Sequence, residues 1–87
     1  MDDERLWLVE RTYTDKGLVS LVYATTDGEY SVQRQRSMNM LRQGAGVTAA
    51  TEADPESLNP VEDDETRDRY ADEATRMAEK HDPDATV

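Results

Sequence analysis

Cysteine is absent from the 87 residues, so disulfide staples, thiolate metal sites and cysteine nucleophiles are excluded. Phenylalanine is absent as well, and the aromatic share is 6 %, which leaves Ala, Thr and Val to do much of the apolar work. The longest apolar run, Leu6-Trp7-Leu8-Val9, is far too short for a bilayer span, and the acidic start Met1-Asp2-Asp3-Glu4-Arg5 has no apolar targeting core. A cytoplasmic protein without membrane attachment is the expectation. One small domain fills the length, with residues 1–4 and 84–87 as loose termini, and a chain of this size buries only roughly 60 to 65 % of its unfolded surface. A partner's contribution to stability therefore matters.

Positive charge is scarce: 20 Asp and Glu face 10 Lys and Arg, for a formal charge of -10 and a pI near 4.3. Arginine supplies almost all of the cations, with Lys16 and Lys80 the exceptions. Arg is weakly hydrated for a cation, and dense carboxylates hold water and counter-ions, so this usage fits adaptation to a salt-rich interior. The charge is also uneven. Residues 1–50 are nearly neutral, whereas residues 51–87 carry Arg67, Arg69, Arg76 and Lys80 against a large excess of acids. The near-neutral half is where contacts are expected.

Strand formers dominate that half. Arg5–Tyr13 is β-branched and aromatic, and Thr14-Asp15-Lys16-Gly17 supplies turn chemistry. Leu18–Thr25 predicts a second strand, Thr26-Asp27-Gly28 a second turn, and Glu29–Gln35 a third strand. Arg36–Gln43 reads as a short helix carrying Met38, Met40 and Leu41 or as an extension of the third strand, with the helix preferred. Gly44-Ala45-Gly46 breaks the pattern, and Val47–Glu52 suits a short edge strand. Two prolines make 54–61 a connector, after which Asp63 or Asp64 caps a helix with Tyr70, Ala74, Met77, Ala78 and His81 at helical spacing. The expected fold is α+β: a meander of three to four antiparallel strands with one long C-terminal helix.

Simple alternation places Trp7, Val9 and Tyr13 on one face of the first strand and Leu6 and Leu8 on the other. One helix covers one face, so the remaining apolar face calls for a partner, a second copy in a homodimer or a small protein, unless the short Met38–Leu41 segment folds over part of it.

Sharper chemistry finds little support. Asp64, Asp68 and Asp72 share a helix face but do not converge as a metal cage requires. His81 sits at a helix end, where a cation meets the terminal carbonyls, and no nucleophile is specified beside it. Gly44-Ala45-Gly46 lacks the rest of a phosphate loop. No cofactor, metal or catalytic constellation emerges, and a non-enzymatic interaction module is the leading expectation. Its candidate contact residues are Trp7, Tyr13, Tyr30, Arg34, Arg36 and Arg42. The alternative is a nucleic-acid-associated accessory protein using Tyr30 to Arg42, where tyrosine and arginine interleave with Gln and Asn. High salt and the surrounding acids count against it.

The segments RLWLVERTYTDKGLVSLVYATTDGE and DDETRDRYADEATRMAEKHDPD resemble a small, conserved, uncharacterised family of haloarchaeal proteins. The resemblance spans nearly the whole chain. It implies a halophilic cytosolic setting and brings no activity or functional residue with it.

Overall fold

A computed structural model describes residues 3–14, 17–37 and 47–87. Five strands, β1 (Glu4–Tyr13), β2 (Leu18–Ala24), β3 (Tyr30–Ser37), β4 (Ala50–Ala53) and β5 (Asn59–Pro60), form one open antiparallel sheet in the order β4-β1-β2-β3-β5. A single turn of 3-10 helix at Pro55–Ser57 precedes β5, and helix α1 (Asp64–Lys80) closes the chain's main elements. The α+β class and the central meander follow the sequence. The strand count exceeds the expected three to four because Asn59-Pro60 pairs with Tyr30 and Ser31. Proline is tolerated there because an edge strand can spare a donor, which is why a proline-based reading hides this strand.

Arg36 and Ser37 continue β3, which is compatible with the extended backbone of a Ser37 cap. The rest of that predicted helix, together with Arg42 and Gly44-Ala45-Gly46, lies outside the described residues.

The β2–β3 turn shows how local chemistry positions the helix. Gly28 closes it at φ 73°, donating its N–H to the Thr25 carbonyl at 2.8 Å, while the Asp27 carboxylate accepts from the Thr25 hydroxyl and the Glu29 N–H. A side chain at Gly28 would overlap the Arg67 carbonyl and come within 2.9 Å of the Ala71 nitrogen. The helix backbone thus lies directly on this turn, and only glycine allows both the left-handed φ and the close approach. Asp63 starts α1 by accepting from the Thr66 N–H at 2.9 Å and the Thr66 hydroxyl at 2.7 Å; His81 ends it by donating its N–H to Met77.

β1 carries a bulge at Val9: Leu8 pairs with Tyr23, but the next pair is Glu10 with Val22. The extra residue reverses side-chain parity along the strand. Leu6 and Leu8 therefore share a face with Arg11 and Tyr13, not with Glu10 and Thr12, and the unbroken alternation that grouped Tyr13 with Trp7 is corrected. On one face Trp7 packs with Ala49, Ala50 and Ala74 under α1; on the other, Leu6, Leu8, Val19, Leu21, Tyr23 and Val32 form a second cluster with Val47 and Ala53. Met77 and Val87 touch both.

The C-terminal residues, expected to be loose, run beside 47–50. Ala49 N–H donates to Ala85, Ala50 N–H to Pro83 and Val87 N–H to Val47, each at 2.8 to 3.0 Å, and Thr48 bridges Thr86. This segment runs beside the residues that lead into β4 and reaches β4 itself at Ala50.

Candidate functional site

The face opposite α1 is built by register. β2 is its centre: Arg11 pairs with Leu21, which pairs with Arg34; Tyr13 pairs with Val19, which pairs with Arg36. Two cross-strand rows result, each with an aliphatic residue flanked by long polar-tipped side chains. Val19 and Leu21 are buried at 0 % and 1 % exposure, while Tyr13 stands 59 % exposed. Tyr30 and Val32 share parity with Arg34 and Arg36, so the 44 % exposed Tyr30 ring is on the same face.

The arginines on this face differ from the rest. Arg5 pairs with Glu52, Arg67 with Asp64, Arg69 with Glu10 and Arg76 with Glu73, at 3.1 to 3.7 Å. Among the described residues, Arg34 and Arg36 meet no carboxylate, and Arg11 meets no acidic side chain. Arg11 instead donates to the Tyr13 hydroxyl at 3.4 Å and the Val87 carbonyl at 3.2 Å, and Arg36 to the neighbouring Gln35 carbonyl at 2.9 Å. In a chain of net charge -10, two guanidinium groups on one face with no acid beside them among the described residues suit an external anion. Its chemistry is planar bidentate recognition of carboxylate or phosphate, with Tyr13 and Tyr30 as amphipathic rings beside it.

Of the residues proposed from sequence, Tyr13, Tyr30, Arg34 and Arg36 are thus brought onto one face. Trp7 is not among them: it is 8 % exposed beneath α1 and serves the core. Arg42 lies outside the described residues. Arg11 was missed, and the only sequence signal for it would have been the Val9 bulge, which alternation alone does not reveal.

A surface groove of about 460 Å³ lies at the other end of the sheet, lined by Glu4, Arg5, Thr25, Asp27, Tyr30 and Leu58. It is large enough for a small molecule. Its best-placed acid, Asp27, is committed to the turn: the Thr25 hydroxyl and the Glu29 N–H hold its pKa below the ordinary carboxylate value, so it stays ionised and is not poised to donate a proton. The Asp64, Asp68, Asp72 row is exposed, and no metal-holding cluster occurs among the described residues. None of the described helices is long and apolar enough to cross a membrane.

Fold and surface together define a small α+β protein whose open sheet shows an arginine-bearing face. The chain belongs to DUF7967, a family of unknown function, whose profile matches residues 1–87. No curated protein and no solved structure matches it.

Proposed function

We propose that this chain is a non-enzymatic interaction module of a salt-rich cytoplasm, binding a protein partner through the sheet face that carries Arg11, Tyr13, Arg34 and Arg36. One observation supports it above the others: among the described residues, the arginines without carboxylate partners, Arg34 and Arg36, stand on a single face, in register with Leu21 and Val19 and across from an exposed tyrosine. Interfaces favour Tyr and Arg over Lys and Glu, since a planar ring and a planar fork give much contact for little lost rotamer freedom. The acid-rich composition is consistent with the salt-rich setting.

A second copy is the weaker choice of partner. A two-fold dimer through this face would bring like arginines toward one another, and the aliphatic residues that would have driven self-pairing, Leu6, Val19 and Leu21, are already buried in the single chain.

The test is light scattering on chain isolated in molar KCl from cells that make it at native level. A complex heavier than the 9.9 kDa chain, lost on Tyr13→Asp or Arg34→Glu while the circular dichroism is unchanged, would support the reading. A lone-chain mass, or a complex indifferent to both substitutions, would overturn it, and a mass of two chains would return the homodimer.

The nucleic-acid reading draws on the shared parity of Tyr30, Arg34 and Arg36, where a ring and two guanidinium groups suit a stacked base and phosphates. The net charge of -10 opposes it. A 260/280 absorbance ratio typical of nucleic acid across the peak would favour it, and a protein-like ratio would remove it.

A further inference from the structure

β3 is a partly open edge of the sheet: among the described residues, β5 covers it only at Tyr30 and Ser31. At the opposite edge residues 83–87 run beside 47–50 and reach β4 at Ala50. Which backbone groups β3 leaves open follows from its first hydrogen bonds. Thr25 N–H donates to the Tyr30 carbonyl at 3.0 Å, so Tyr30 turns its backbone toward β2; Val61 N–H donates to the Glu29 carbonyl at 2.8 Å, so the flanking residues face outward. Pairing with β2 runs without a shift from Ser31↔Ala24 to Ser37↔Leu18. The alternation therefore persists, with Val32, Arg34 and Arg36 bonding inward and Gln33 and Gln35 presenting N–H and C=O at the edge. The Arg36 guanidinium donating to the Gln35 carbonyl fits an outward carbonyl. Among the described residues, no strand pairs with Gln33 or Gln35 on that side.

An open edge is a template for one more strand, and the side chains beside it select which. Arg34 and Arg36 stand at alternate positions on one face with no carboxylate partner among the described residues, while Gln33 on the other face is tied to Ser20 at 2.6 Å. Resting on the interaction-module reading above, we propose that the Gln33–Arg36 edge takes an extended acidic segment of another protein as a sixth strand. Gln33 and Gln35 supply the backbone hydrogen bonds, and Asp or Glu at every second position of the segment meets Arg34 and Arg36. A second copy of β3 does not fit, because arginine would lie opposite arginine. A nucleic-acid strand offers phosphates but no peptide ladder for the edge. In molar salt the Debye length falls to about 3 Å, which removes long-range attraction but leaves ladder bonds and direct guanidinium–carboxylate forks.

The experiment uses the full chain and a labelled peptide alternating Thr and Glu, with a Thr/Lys peptide and an oligo-dT as comparison probes, by fluorescence anisotropy in low and molar KCl. Amide hydrogen exchange of the unaltered chain is followed in parallel. The Thr/Glu peptide is expected to bind, the doubly substituted Arg34→Glu, Arg36→Glu chain to bind it roughly tenfold or more weakly, and the Gln33 and Gln35 amides to slow on peptide addition. Gln35→Pro, which removes an outward N–H, is expected to weaken binding too. No peptide binding, or equal binding of Thr/Lys peptide or oligo-dT, overturns the proposal. Binding that falls in the arginine variant while the Gln33 and Gln35 amides stay unprotected also overturns strand addition, yet leaves the arginine face standing as an interaction surface.

Discussion

The two faces of the sheet are assembled under different constraints. Beneath α1, small residues dominate: Ala49, Ala50 and Ala74 let the helix lie close around Trp7, and Gly28 admits its backbone to the β2–β3 turn. Among the described residues, each arginine paired with an acidic side chain is on or beside this side, as Arg69 is with Glu10. Across the sheet the core is aliphatic, Leu6, Leu8, Val19, Leu21 and Val32, and among the described residues Arg34 and Arg36 beside it are left without acids. One face is satisfied by the chain's own helix and charges; the other is satisfied in its apolar core and unsatisfied in charge. Burial alone would call both faces finished, and only the charge pairing separates them.

The largest expected effects test whether both faces are true cores. Trp7→Ala should cost about 3 to 5 kcal/mol and Leu21→Ala about 2 to 5 kcal/mol in chemical denaturation, each a large part of the stability of a small domain. A Leu21→Ala chain as stable as the parent would show that the face away from the helix is not a folding core and would restore the case for a covering partner.

Next in size is the helix contact. Gly28→Ala adds a left-handed strain of about 1 to 2 kcal/mol and an overlap with the Arg67 carbonyl, with overpacking of this kind costing about 1 to 3 kcal/mol. At about 4 to 8 °C per kcal/mol for a domain of this size, the melting temperature should fall by roughly 10 °C or more. A shift within error would mean that α1 does not sit on the turn.

The exposed residues should behave in the opposite way. Tyr13→Ala and Arg36→Ala are expected to move stability by no more than about 0.5 kcal/mol, even where they abolish association. A large loss of stability from either would reassign that residue to the core and blur the contrast between the faces.

The smallest effect is with pH. The Thr66 hydroxyl and N–H lower the pKa of Asp63, as the Thr25 hydroxyl and Glu29 N–H lower that of Asp27. Both carboxylates stabilise the fold in full above the ordinary aspartate value of about 3.9, and that contribution is lost as pH falls through their lower native values. Melting temperature should hold from neutral pH to about 4 and then drop, and the drop should be shallower in the doubly substituted Asp27→Asn, Asp63→Asn chain.

Much of this was legible from residue order. The meander follows from β-branched runs divided by Gly17 and Gly28, and the Asp63 cap and the helical spacing of Tyr70, Ala74 and Met77 place α1 to within a residue. Other features were hidden for definite reasons. β5 is two residues long and includes Pro60, so neither periodicity nor propensity marks it. The Val9 bulge is invisible to alternation, yet it moves Tyr13 and Arg11 to the other face. Trp7, a natural interface residue by type, is absorbed by the core because α1 lies over it.

The sequence by itself determined the α+β class, the acidic surface, the absence of cysteine chemistry and the positions of the main turns and the helix, because these depend on composition and on contacts between near neighbours. Only the tertiary structure decided, among the described residues, which arginines go without acids, which face Tyr13 joins and that no strand pairs with β3 beyond Ser31 on its outer side. Each of those depends on the pairing of residues distant in the chain, and a single extra residue in one strand is enough to change it.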